Sequence, residues 1–403
     1  MINRFKYIVA SYPQQFWLIV IGVLISSSGS SLIWPFQLVY VSGKLETNLT
    51  TTATLITISS FTGMLISLLG GSIVDRYGRK PAMVFSQIIH GLAYILMSQA
   101  TTYVSFLIPM TLMGITMPFY SIGSDAMIAD MVDRDKLPTA YTILRMANNA
   151  GIAIGPAFGG LLISKSYELA FYSASTLMVF YGILLLFLSK ETLKHSSKQV
   201  QPEKLLQTIK GYQRVFKDSS YITFIFAITL GMIAPLLMWT LLAVYTKTNY
   251  NLQEAQYSWI PVTNALMCVF VQYLVTQYTR KHHQRTMIAL GMLVYAIGVG
   301  SVALMSNFAG FLVSMVILTF GELILIPTAT AFAAGRAPDE YRGRYMSLYW
   351  LTWGFARAIA PIIGGVVNDV IAPKAIWVIG FIFGITSAFL LYYIGKYRPE
   401  RQV

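Results

Sequence analysis

Hydrophobic positions fall in twelve long runs, at about 16–40, 51–74, 82–100, 104–129, 140–164, 169–189, 221–246, 256–279, 286–305, 309–333, 343–368 and 373–395. Each is close to the ~20 apolar residues that a helix needs to cross a bilayer. None shows the every-second-residue alternation of a membrane β-barrel. In lipid every backbone polar group needs an internal partner, so the runs are predicted to be transmembrane helices. The N-terminal MINRFKYIVASYPQQFW has no short apolar stretch ending in a small-residue cleavage site, so no cleaved signal peptide is expected and the first run is the first span. One longer polar stretch, 190–218, separates the sixth run from the seventh. In it Leu205, Leu206, Ile209, Tyr212, Val215 and Phe216 recur at helical spacing among lysines and glutamates, which predicts an amphipathic helix on the inner membrane surface.

The chain also repeats itself. The ungapped offset that lays Leu32 on Leu237 also lays Trp34 on Trp239, Val39 on Val244 and Tyr40 on Tyr245. Far along the chain it lays Pro156 on Pro361, and Gly159 and Gly160 on Gly364 and Gly365. Two parallel six-helix halves follow, 1–189 and 219–403, joined by the 190–218 linker. The fold class is all-α membrane protein, two six-helix bundles related by a pseudo-two-fold axis.

Composition agrees. Hydrophobic residues make up 56% of the chain and charged residues 11%, against about 25% charged in a soluble domain. The net charge is +13. With the N-terminus inside, the Lys and Arg outside the spans all fall on the inner side, except Lys44, Lys165, Lys247 and Lys374. That asymmetry predicts a multi-pass protein of the cell membrane with both termini cytoplasmic. The basic face then meets anionic lipid headgroups, and nucleic acid is not needed to explain it. Cys268 is the single cysteine, so no disulfide forms within the chain. His282 and His283 have no further ligand nearby, and neither a metal nor a cofactor is expected. No nucleophile–base set or nucleotide loop appears, so the chain does not read as an enzyme, and it is expected to be a monomer.

The most distinctive stretch is GSIVDRYGRKP, Gly71 to Pro81, whose polar core is Gly71, Asp75, Arg76, Gly78, Arg79 and Lys80. Two long apolar helices joined by so short a hairpin must lie side by side, and its charges must stay in water or headgroups. In the second half Asp75-Arg-Tyr-Gly-Arg-Lys80 aligns with Arg280-Lys-His-His-Gln-Arg285, which keeps the basic character but loses the aspartate and the glycine. GxxxDRxGRK between the second and third spans resembles the best-known motif of the major facilitator superfamily, and the resemblance extends over nearly the whole chain. It implies a hairpin that latches the two halves in the outward-facing state. Asp75 can cap or pair across the seam, Arg76 and Arg79 can reach acids or lipid, and Asp130, at the inner end of span four, is the candidate partner.

A second stretch, GIAIGPAFGG over 151–160, places Gly151, Gly155 and Gly159 on one helical face, a spacing that lets helices approach closely. Pro156 removes a backbone donor and bends the helix. With Gly160, this resembles the fifth-helix motif of the superfamily's twelve-helix proton-coupled drug antiporters, which implies a bent contact between halves that favours exchange over leak. One departure stands out. Such antiporters often carry a buried arginine in span four, and here Met110 occupies that place ahead of Gly114, so a first-half proton relay of that kind is lacking.

Four ionisable residues lie inside spans: Asp125, Arg145, Glu322 and Arg357. Each costs about 2.5–3.5 kcal/mol at a helix centre, so each needs a partner or a cavity. By depth, Asp125 and Arg145 match about 8 Å inside the inner boundary. Glu322 and Arg357 match near mid-membrane. Glu322 is the leading proton-coupling candidate and Asp125 the second, with Arg145 and Arg357 as charge partners. In the superfamily spans one, four, seven and ten line the cavity, which implies substrate contacts from Trp34, Gln37, Met113, Met117, Tyr120 and Trp239. Methionines adapt to varied apolar shapes and aromatic faces hold cations. The function expected is alternating-access, proton-coupled efflux of lipophilic or cationic small molecules. The alternatives are a carrier for a metabolite such as a sugar, siderophore or peptide, and a flippase for lipids or lipid-linked glycans.

Overall fold

The apolar runs fold as helices. The computed structural model describes residues 11–133, 135–193, 212–213, 215–338 and 341–397. In chain order the helices are α1 Gln14–Ile33, α2 Gln37–Leu45, α3 Leu49–Tyr77, α4 Arg79–Gln99, α5 Tyr103–Met131, α6 Leu137–Ile163 and α7 Tyr167–Leu188. They continue with α8 Ser219–Tyr250, α9 Glu254–Tyr257, α10 Trp259–Phe270, α11 Gln272–Thr279, α12 Gln284–Ser301, α13 Phe308–Arg336, α14 Arg342–Val370 and α15 Ala375–Tyr397. Among the described residues there is no strand.

Among the described residues eleven helices are long and apolar enough to cross a membrane, counting Gln14–Leu45 as one. The eighth run, expected as a plain helix over 256–279, is instead a pair bent by 56° between Phe270 and Gln272. The first run is also interrupted, by a 3₁₀ turn at Trp34–Phe36 where Pro35 removes a backbone donor. Helix starts are marked by short polar side chains that satisfy orphan N–H groups. Thr102 and Ser105 form a capping box on α5, Ser166 accepts from Leu169 N, and Asn307 accepts from Gly310 N.

The chain divides into two compact units. The first is Met1–Thr47, Ile58–His195 and Gln253–Ala265, and the second is Asn48–Thr57, Ser196–Leu252 and Leu266–Val403. Two short segments thus belong to a different unit from the one that a cut at 1–189 and 219–403 assigns them. In the second unit Asp369, near the end of α14, accepts hydrogen bonds from Leu49 N (3.2 Å), Thr50 N (2.8 Å) and Thr50 Oγ1 (2.6 Å), which caps α3 and holds its first turns. In the first unit Tyr167 donates to Glu254 Oε1 at 2.9 Å, and the Phe36 and Tyr257 rings meet edge-on at 5.8 Å, fixing α9.

In the first unit α1 packs on α6 and α7, and α4 packs on α5 and α7. Its core holds Phe16, Ile19, Met83, Met127, Ile128 and Tyr181, all fully buried. In the second unit α12 packs on α13 and α15, and α8 on α14 and α15. Tyr221, Tyr295, Phe311, Tyr349 and Trp377 are its largest fully buried side chains. Of the linker, Leu205, Leu206 and Ile209 lie outside the described residues. Tyr212 shares a hydrogen bond with Ser347 Oγ (2.8 Å), Val215 is buried and Phe216 is exposed.

Candidate functional site

The hairpin between α3 and α4 is one residue long. Gly78 has φ of +104°, a conformation that disfavours any side chain, and it lets Arg79 start the next helix at once. The exposed N-terminus of α4 is then capped from a distance. Glu191, just past α7, accepts from Lys80 N at 3.0 Å and from Thr192 N and Leu193 N at 2.8 and 2.9 Å. Burial pushes the Glu191 carboxyl up, but the N–H groups of Leu193, Lys80, Arg79 and Thr192 outweigh it and hold it below the usual carboxylate range. Lys80 Nζ reaches Ser189 O at 2.8 Å.

Arg79 forms an ion pair with Asp130 at the end of α5 and donates to Thr192 Oγ1 at 3.3 Å. The motif therefore joins the ends of three helices within one unit. Its members have unequal parts. Arg76 lies over the Tyr77 ring at 5.5 Å, Asp75 is exposed in the last turn of α3, and Gly71 has open space beside it. Glu191 is the residue the sequence reading passed over; a lone acid just after the sixth run was the available sign.

The glycine face of α6 meets α1. A methyl group at Gly151 would fall 2.9 Å from Leu24 O, one at Gly155 would fall 2.8 Å from Ser28 O, and one at Gly159 would fall 3.0 Å from Leu32 Cα. Ser27 Oγ donates to Asn148 Oδ1 at 2.5 Å along the same seam. This corrects the expectation of a contact between halves for these three glycines: small serines on α1 leave room for the α6 backbone inside one bundle. Gly160 looks elsewhere, toward Glu254 O and Ser258. Pro156 sits inside the unbroken helix.

Of the buried-charge pairs matched by depth, neither forms. Ion pairs that do form include Arg79–Asp130, Lys136–Asp133 and Arg336–Asp218. Asp125, Arg145 and Arg357 expose their side chains. Equal depth does not fix the direction in which a helix presents a side chain, and that is why these pairings fail. Glu322, half-buried on α13, instead shares a hydrogen bond with Tyr295 of α12, and Tyr295 shares another with Trp239 of α8.

The expected cavity side chains also divide. Tyr120 turns to Tyr181, hydroxyl to hydroxyl at 3.2 Å, and packs half-buried against the first unit's core, and Met113 is 8% exposed. The Gln37 amide lies against Met97 Sδ at 3.9 Å. Met117 is 59% exposed. Trp34 and Trp239 are half-buried.

The second unit carries an acid clamp that the sequence reading also missed, although an Asp directly before an apolar run is a helix-start sign. Asp218 caps α8 through Tyr221 N (3.1 Å), takes Arg336 in two hydrogen bonds of 3.2 Å, and accepts from Tyr345 Oη at 3.3 Å. Burial raises its carboxyl, but Arg336, Tyr221 N and Tyr345 together hold it below the usual range. A depressed carboxyl stabilises the fold above its unfolded value of about 3.9 and stops doing so as pH falls through the folded value. Asp218→Asn is therefore expected to cost about 1–2 kcal/mol near neutral pH. The gap in thermal midpoint from wild type should close as the pH drops below about 4. Intrinsic tryptophan fluorescence on heating reads both, and equal midpoints at pH 7 would remove the clamp.

Long apolar helices in two units, with a charged one-residue hairpin and an acid inside a span, define a polytopic membrane transporter. The Major Facilitator Superfamily profile matches residues 19–253 and again 222–403, and the chain belongs to that superfamily. It is 25% identical over 372 residues to a Na(+), Li(+), K(+)/H(+) antiporter of Planococcus maritimus, covering 85% of this chain and 87% of that one. It is 21% identical over 356 residues to multidrug resistance protein 1 of Bacillus subtilis (strain 168), covering 88% and 89%. A crystal structure of a mutant nucleoside transporter NupG superimposes with a TM-score of 0.80 at 12% identity, covering 95% of this chain and all of that one; this likeness concerns the fold.

Proposed function

We propose that this secondary transporter exchanges protons for lipophilic or cationic small molecules and expels them from the cell, with Glu322 carrying the coupling proton. The observation that supports this most is the half-buried Glu322 carboxyl within a span, in hydrogen-bonding reach of the Tyr295 hydroxyl. A hydroxyl can donate to a carboxylate and still leave a neutral carboxyl an accepting oxygen to bond, so such a partner serves both protonation states. The name of the Na(+), Li(+), K(+)/H(+) antiporter relative supports exchange against protons, and that of the multidrug resistance relative supports drug-like substrates. Trp239, half-buried on α8, is the aromatic face proposed for a cation. The cell membrane is the expected site, with both termini cytoplasmic, because the basic segments then all face anionic lipid. The Arg79–Asp130 hairpin serves as the conformational latch.

The test is accumulation of a cationic dye in proteoliposomes with an acidic lumen. Wild type should concentrate dye as protons leave. Glu322→Gln should lose that accumulation and keep dye exchange down a dye gradient. A stable Glu322→Gln protein that still concentrates dye would transfer the role to Asp125.

A further inference from the structure

Three side chains from three helices meet at the Glu322 site, and their chemistry fixes the direction of the bonds between them. The Trp239 indole N–H is a donor only. Toward Tyr295 it can therefore only donate, and the phenol oxygen must accept. The tyrosine's own proton is left for Glu322, whose carboxylate is acceptor-only when charged and keeps an accepting C=O when neutral. The hydroxyl is thus not a free rotor.

The backbone holds this geometry. Tyr295 is 1% exposed. Gly321, the residue before Glu322, is pressed against it: a methyl group there would fall 2.7 Å from Tyr295 Cα and 2.9 Å from Gly291 O. On either side, Gly291 fits against Leu325 and Gly298 against Leu318 in the same way, so α12 and α13 have one register. That register sets the Tyr295 backbone against the residue before Glu322, and the ring is enclosed by its surroundings. Cys268 of α10 also lies near the phenol.

We propose that Tyr295 is the positioning residue of the proton site, presenting to Glu322 a hydrogen-bond donor whose direction is set by Trp239. This rests on the reading of Glu322 as the carrier of the coupling proton. It adds that Trp239 and Glu322 communicate through one hydroxyl, so a change at the indole reaches the carboxyl.

The experiment compares wild type, Glu322→Gln, Tyr295→Phe and Trp239→Phe in proteoliposomes, by dye accumulation and by infrared difference spectra between acid and neutral pH. The Glu322 carboxyl C=O band is the one missing from Glu322→Gln. In Tyr295→Phe it should move to higher wavenumber, because a C=O that loses a donor stiffens. Accumulation driven by the pH gradient should fall about tenfold, the order expected for one bond to a charged group. Trp239→Phe should move the same band, and it covers the case in which Tyr295→Phe is recovered unfolded. A band unmoved in both variants overturns the role of Tyr295 while leaving Glu322 in place. Undiminished accumulation by Glu322→Gln overturns the Glu322 reading itself.

Discussion

Asp130→Asn will slow transport by about ten- to a hundredfold while dye affinity stays within a few-fold of wild type. Asp130 answers Arg79, whose side chain is only 14% exposed, while its own is 32% exposed. Removing one member of a buried pair costs about 3–5 kcal/mol, but partial exposure of Asp130 lowers this to about 1–3 kcal/mol. A change of that size in the balance of two conformations shifts their populations by the stated factor. The proposed latch holds one conformation, so the loss should appear in turnover and not in binding.

Glu191 gives the reason that the effect is concentrated at Arg79. Its carboxylate already fixes the first turn of α4 through backbone N–H groups, so the Arg79 side chain is presented to α5 from a rigid base. Reversing the pair, Arg79→Asp with Asp130→Arg, should recover part of the turnover. Dye counterflow and equilibrium binding on the same preparations decide the matter. Normal counterflow in Asp130→Asn, or a collapse of binding with normal counterflow, would defeat the latch.

Much of the architecture was readable because membrane helices are written in long apolar runs, which need no long-range information. The class and eleven of the spans come from that signal, and the charged hairpin stands out as the short polar break between two of them. The break after Phe270 was not readable, since the bend follows no proline or glycine in 266–275. Pairing was harder still. Matching Glu322 to Arg357 used depth, a coordinate along the helix, whereas contact also needs the angle around it. The Gly321–Tyr295 approach sets that angle, and it turns Glu322 to α12. Glu191 and Asp218 escaped because their value lies in partners far along the sequence, such as Lys80 and Arg336. The Arg79–Asp130 pair was accessible because the hairpin places α4 beside its neighbours and Asp130 stood at the matching end of the next span.

Gly155→Leu should fail to give a stable monodisperse protein, and Gly155→Ala should cost about 1–3 kcal/mol, the usual penalty for overpacking. Even a methyl group at Gly155 falls on the Ser28 carbonyl and the Ser31 backbone, which are main-chain atoms that cannot rotate aside. To make room, α6 would have to move off α1, which would also strain the Ser27–Asn148 bond. Gly159→Ala meets the Leu32 backbone and should behave similarly. The contrast is Gly71, in the hairpin motif itself. It is helical with nothing beside it, so Gly71→Ala should be neutral or stabilise by about 0.5–1 kcal/mol through helix propensity. Thermal midpoints in detergent, with size-exclusion profiles, separate the two classes. If Gly155→Leu matches wild type in midpoint and in dye transport, the α6 face does not pack on α1 as described. If Gly71→Ala is as damaging as Gly155→Ala, the steric account of both positions is wrong.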